Sequence, residues 1–253
     1  MTENFAELDV QLLLAEYTLL ENWDLPNLSA PYWRLYHNDG PGAAINIMGA
    51  EVPLEPDLFY LIPPDTPYAS HLEQPVGHFY LHFLTRAHHY TIQPTAYAFP
   101  AGDELLEHVE EACALIEEEM EDAVLTAHLQ ALAYAGLSRV PEERFELGYA
   151  DERVQQAVDY MEEHLGRRIP NDEMAVQANM NTNAFIRLFR ETTGATPQAF
   201  YMQRRIEAAC LLLHYTEMSL DQIAADTGFC DRYHLSREFK KLRGMGPAAF
   251  RDL

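Results

Sequence analysis

The run Gly228-Phe-Cys-Asp231-Arg-Tyr-His-Leu-Ser236-Arg237-Glu-Phe239-Lys240-Lys241-Leu-Arg-Gly244-Met-Gly-Pro247-Ala-Ala-Phe250-Arg251 decides the architecture, because it recurs. Fifty residues earlier, Phe185-Ile-Arg187-Leu-Phe189-Arg190 lies over Leu235-Ser-Arg237-Glu-Phe239-Lys240. Gly194, Pro197, Ala199 and Phe200 then fall on Gly244, Pro247, Ala249 and Phe250. Upstream the register slips by one, so Asp172 matches Asp221 and Ala175 matches Ala224. A shared period means one supersecondary unit used twice. Each copy reads as a short helix, a tight turn, a second helix and a Gly-x-x-Pro stop.

Within the second copy, Asp221 is expected to cap the short helix, and Gly228 supplies a turn that needs positive φ. Asp231 caps the second helix, whose Leu235, Phe239 and Leu242 form a buried stripe at i, i+4, i+7. Its other face displays Arg232, Tyr233, Ser236, Arg237, Lys240 and Lys241. Gly244 ends the helix and Pro247 opens the next. A helix-turn-helix with a cationic second helix has the geometry that enters a DNA major groove. A helical bundle with ordinary solvated charges is the competing reading; repeat, turn glycine and basic face together weigh against it.

This run resembles the signature of the AraC/XylS family of transcription regulators. So does the first copy, including Arg204-Arg205-Ile206-Glu-Ala-Ala209-Cys-Leu-Leu in the connecting helix. The likeness covers about the last 100 residues. Leu235 departs from it, standing where an aromatic is more usual, but it is apolar and fits the same core site. The resemblance implies contacts to DNA from Asn183, Ile186 and Arg187 in copy one, with Asn181 and Thr182 at the cap and Arg190 near the backbone. In copy two it implies Arg232, Tyr233, Ser236 and Arg237, with Lys240 and Lys241 on phosphate. Arg187 and Arg237 are equivalent by the repeat, and arginine grips guanine bidentately; their bland alternative is a salt bridge within the domain. The connecting helix 197–213 should set the two second helices about 34 Å apart, one groove repeat.

The net charge of −23 looks wrong for a DNA binder until it is divided. Residues 1–148 hold four Arg and no Lys against 25 Asp and Glu, whereas 149–253 hold 13 Lys and Arg against 15 acids. Acid is concentrated in the first part, so bulk charge does not decide the case; it implies weak non-specific attraction to phosphate. Cys113, Cys210 and Cys230 form no CxxC pair and suit a reduced, cytoplasmic compartment. No signal peptide and no membrane span is expected.

Residues 1–100 are rich in Pro, Gly, aromatics and short apolar runs, which favours short strands. Candidates are 12–18, 32–37, 44–48, 59–62 and 79–83, in an antiparallel barrel or jelly roll. Residues 61–71 with 78–83 resemble the amino-terminal cupin sensor of sugar-responsive members of the same family. Aromatic walls with a few converging polar groups make a small-molecule pocket. Trp33, Arg34, Tyr36, Asn46, His71, Tyr80 and His82 supply those types, and a sugar would suit them; core packing for Trp33 and an acid-partnered surface site for Arg34 are the alternatives. A metal site from His78 and His82 with His71 or Glu51 is weaker, because His-x-His with a following Glu is absent. No cofactor is expected.

From 103 to 138 two helices follow, with Leu105, Leu106, Val109, Ala112, Cys113, Ile116 and Met120 on one stripe. The resemblance implies that helices here build a homodimer, through Leu105, Val109, Ile116, Leu125 and Leu129; burial against the barrel is the alternative. The expected organisation is α+β: a cupin-like antiparallel β-barrel with a two-helix bridge (1–138), a linker (139–149), and an all-α tandem helix-turn-helix domain (150–253). The expected function is a homodimeric regulator, not an enzyme. It is expected to bind double-stranded DNA and a small effector, which the resemblance implies is a sugar, with RNA polymerase as a further partner. A metal-dependent cupin enzyme fused to a DNA-binding module, and a regulator without ligand, are the alternatives.

Overall fold

The computed structural model describes residues 10–85, 94–118, 123–141, 149 and 151–251. Met120 and most of the expected linker lie outside them. The chain divides into two compact units, Met1–Leu147 and Gly148–Leu253.

In the first unit, β1 (Val10–Leu20), β2 (Trp33–Asn38), β5 (Leu58–Ile62), β7 (Val76–Thr85) and β8 (Tyr97–Pro100) form an antiparallel sheet in the order β1-β7-β2-β5-β8. A second antiparallel sheet, ordered β4-β3-β6, comprises β3 (Ala43–Ile47), β4 (Ala50–Pro53) and β6 (Ala69–Leu72). The central strands β2, β5 and β7 are buried on both faces, and period-two alternation decides which residue serves which layer. Trp33, Leu35, Phe59, Leu61, Phe79, Leu81 and Phe83 pack with Val109, Ala112, Leu129, Leu132 and Ala133 of α1 (Asp103–Glu117) and α2 (Ala123–Leu137). Gly136 lets α2 approach closely, since a Cβ there would sit 3.3 Å from Leu61 Cδ1. Tyr36, Tyr60 and Ile62 pack from the opposite face with Ile45, Ile47, Leu54 and Tyr68 of the smaller sheet's layer.

Three strands, β4, β6 and β8, are additional to those expected. Each has only four residues, too few to show a period. Met48, expected at a strand end, turns with φ +53° beside Gly49 at +88° and closes the β3–β4 hairpin. Val109 and Leu129 are buried within this unit, and Leu105 and Leu125 pack partly against the same core.

The second unit consists of α3 (Glu152–Glu163), α4 (Asn171–Gln177), α5 (Thr182–Thr193), α6 (Pro197–Tyr215), α7 (Leu220–Asp226), α8 (Arg232–Arg243) and α9 (Pro247–Arg251). The repeat appears as two cores strung on α6. Met174, Ala175, Phe185, Phe189 and Phe200 gather with α3 in one; Ile223, Ala224, Leu235, Phe239 and Phe250 form the other with the end of α6. Leu235 is fully buried, like its counterpart Phe185. Gly194 and Gly244 end α5 and α8 in the left-handed conformation, at φ +76° and +79°.

Repeat-equivalent positions also perform equivalent fastening. Tyr201 donates from its hydroxyl to a carbonyl before α4, lying 2.6 Å from both His164 O and Arg167 O. Arg251, fifty residues on, donates to the carbonyls of Leu213 and Met218 before α7. The adjacent Arg204 and Arg205 divide their work: Arg204 pairs with Glu162 of α3 and with Glu207, while buried Arg205 donates to Thr227 O in the second turn.

Two expectations fail in the second copy. Asp221 does not cap α7; Ser219 does, in a reciprocal capping box with Gln222, because an N-cap must precede the first helical turn, in which Asp221 already lies. Leu242 is 45% exposed, as α8 rolls its final turn away from the core after Phe239.

Candidate functional site

The second helix of each copy starts from a side-chain cap in equivalent positions. Asn181 accepts from Ala184 N at 2.9 Å, and Asp231 accepts from His234 N at 2.7 Å. Neither helix has an acid in its first turn; their last turns carry Arg190, and Lys240, Lys241 and Arg243. On α5, Asn183, Arg187 and Arg190 are exposed and share a shallow groove with half-buried Ile186 and with Glu191. Thr182 is half-buried at the helix start. Arg187 and Arg190 have no hydrogen-bond or ion-pair partner among the described residues, so both guanidiniums are open to solvent.

On α8 the cations are lightly engaged. Arg237 is 71% exposed and among the described residues meets only its neighbour Glu238, at 3.3 Å; such a surface pair is worth about 0–1 kcal/mol. Lys241 lies 4.0 Å from the same carboxylate, and Lys240 is exposed. Arg232 lies over the exposed Tyr233 ring, 4.9 Å from its centre, with Asp221 Oδ2 3.6 Å away. Ser236 donates to Arg232 O at 2.7 Å, which leaves its oxygen to accept. Neither Arg187 nor Arg237 is buried in a salt bridge.

The residues suggested for a sensor pocket separate. Arg34, Tyr36, Tyr80 and His82 share one face, because Arg34 is in register with His82 and Tyr36 with Tyr80 across β2 and β7. Trp33 is on the other face of β2, stacked on Phe83 in the helix-covered core. Asn46 is exposed and accepts from Gly49 N in the hairpin turn. His71 is exposed and pairs with Asp24 at 2.6 Å. Alternation places these three away from the shared face. Glu51 is exposed, and among the described residues no three His, Cys, Asp or Glu side chains converge to hold a metal.

The shared face contains groups that the sequence reading passed over for this role. Tyr36 and Tyr68 join their hydroxyls at 2.7 Å, Tyr32 packs 4.7 Å from His82, and His78 lies among Trp23, Tyr36 and Tyr80. The signal for His78 was present, since it alternates with Tyr80 and His82. Tyr32 was in reach too, since the expected strand 32–37 puts it on one face with Arg34 and Tyr36; Tyr68 lies outside any expected strand, where periodicity is silent.

His78 Nδ1 lies 2.6 Å from Asn38 Oδ1, so the ring donates there. Burial, with nearby His37 adding to it, pushes its pKa down to about 3. A folded pKa below the unfolded value of about 6.5 means that the unfolded chain binds the proton first. The contribution is intact above pH 6.5 and is lost progressively as pH falls towards 3. Thermal melts of the full chain from pH 7 to 4 should therefore show a steeper decline than those of His78→Gln; parallel curves would remove His78 as the cause.

The helix-turn-helix domain family matches residues 174–252. The MmsAB operon regulatory protein of Pseudomonas aeruginosa is 34% identical over 93 residues, 37% of this chain and 30% of that protein. The arabinose operon regulatory protein of Escherichia coli is 31% identical over 102 residues, 40% and 35% of the two chains. The chain spans about a third of the length of these curated relatives. Over nearly its whole length it shares a fold with a solved ToxT from Vibrio cholerae, with TM-score 0.62 at 10% identity, covering 94% and 96% of the two chains. No helix among the described residues is long and apolar enough to cross a membrane.

Proposed function

We propose that this chain is an AraC/XylS-family regulator by its carboxy-terminal unit, that it binds a specific DNA sequence, and that its amino-terminal unit senses a small hydroxylated metabolite of the carbohydrate class. The observation that carries the DNA reading is the pair of equivalent capped helices, each with an arginine (Arg187, Arg237) open to solvent. Asn183, Ile186, Arg187, Arg232, Tyr233, Ser236 and Arg237 take base edges in this reading. Thr182, Arg190, Lys240 and Lys241 take phosphate, and Asn181 acts through its cap. Arg34, Tyr36, Tyr80 and His82 belong to the sensor. A homodimer offers two such helix pairs, and an effector shifts their presentation only if it binds one arrangement more tightly.

Selection from a random duplex library tests the DNA reading. Purified protein should enrich a motif with two short conserved blocks separated by about one helical turn. Enrichment of no sequence above the starting pool would refute sequence-specific binding.

A further inference from the structure

Arg34 is 3% exposed, in a unit otherwise very poor in cations. Its guanidinium lies 4.8 Å from the centre of the Tyr68 ring and 5.9 Å from that of Tyr32. Nη2 donates to Thr66 O at 3.3 Å, while Nε is buried with no partner. No ion pair joins it to a carboxylate among the described residues; the side chains acting on its charge are Tyr68, which also hydrogen-bonds it, Tyr36 and Tyr32. A buried charge is ordinarily paired, because an unpaired ion is costly to desolvate; aromatic faces return only part of that. A chain with 40 acids places none of the described ones against its one buried sensor-face cation. Around that cation stand hydroxyls from Tyr32, Tyr36 and Tyr68, and His82.

We infer that the effector carries a carboxylate, which pairs with Arg34, while the neighbouring tyrosine hydroxyls and His82 meet its other polar groups. Guanidinium is planar, permanently charged and matched to carboxylate through two parallel hydrogen bonds. The inference rests on the sensor reading above and narrows it from sugars in general to acidic ones.

Full-chain thermal melts of the wild type, Arg34→Met and the control Asn46→Ala test it. Sodium acetate, gluconate and glucuronate are compared with D-glucose and with sodium chloride at equal ionic strength. Without carboxylate, Arg34→Met should melt no lower than wild type, because an apolar side chain of similar length removes a buried unpaired charge. Wild type and Asn46→Ala should rise saturably by about 3 °C or more with at least one carboxylate over chloride, as ligand linkage requires; Arg34→Met should not. An Arg34→Met that melts several degrees lower in chloride would make the arginine a structural donor to Thr66 and overturn the proposal. So would a wild type that gains no more from any carboxylate than from chloride. Protection by glucose alone would leave a sensor standing while removing its acid specificity; protection by neither class would remove both.

Discussion

Replacing Gly228 by Ala is expected to destabilise the carboxy-terminal unit by about 2–5 kcal/mol, from a left-handed penalty of about 1–2 kcal/mol and an overpacking cost of about 1–3 kcal/mol. Gly228 sits at φ +70°, and an added Cβ would lie 2.8 Å from Arg167 N, Gly166 C and Leu165 O. All three are backbone atoms and cannot rotate aside. Gly194 supplies the contrast: its φ is +76°, yet nothing lies within 4 Å of a Cβ there. Gly194→Ala should cost only the conformational part, about 1–2 kcal/mol. Urea unfolding of the full chain, followed by far-ultraviolet circular dichroism, measures both. Equal losses would show that close backbone approach does not distinguish the second turn. The first copy uses Asn179 at φ +52° in the equivalent place, a residue that tolerates this conformation and brings a side chain with it.

The second large effect concerns affinity. Arg187→Ala and Arg237→Ala should each weaken binding to the selected duplex by about 1–3 kcal/mol, the discrimination of one bidentate arginine–guanine contact. They stand on separate helices with separate cores, so the double variant should lose nearly the sum. Binding to random duplex should fall far less, because contacts to phosphate carry it. Lys240→Ala should behave in the opposite way, lowering both affinities together and flattening the salt dependence by about one ion. Fluorescence anisotropy at two salt concentrations separates these patterns. Equal losses for Arg187→Ala on both duplexes would move that arginine from base edge to backbone.

How much could be read from residues alone varied with the strength of their periodicity. In the carboxy-terminal unit the same constraint is written twice, so Gly194 with Gly244 and Phe189 with Phe239 each corroborated the other. The errors there were local. Asp221 is of a type that caps well, yet Ser219, two positions earlier, forms the reciprocal pair with Gln222. Leu242 obeyed the heptad-like spacing at a helix end where no partner remains to cover it. In the amino-terminal unit, alternation correctly divided Phe79, Leu81 and Phe83 from Tyr80 and His82. The same rule, applied to β2, separates Trp33 from Arg34, although both are residue types that suit a pocket. Asn46 and His71 had the right chemistry on short strands whose outward side no sequence window identifies. Tyr68 reaches Arg34 across the layers, a contact between residues 34 apart in sequence that only the folded sheet pair creates.

The central claim is that one chain carries two copies of a groove-reading helix on a common connecting helix. Hydroxyl-radical footprinting on the selected duplex tests it most directly. The account predicts, for each bound carboxy-terminal unit, two protected patches on one face of the DNA, about 10 base pairs apart. The patch assigned to α5 should fade in Arg187→Ala and that assigned to α8 in Arg237→Ala. A single patch per unit, unchanged by one of these substitutions, would contradict it.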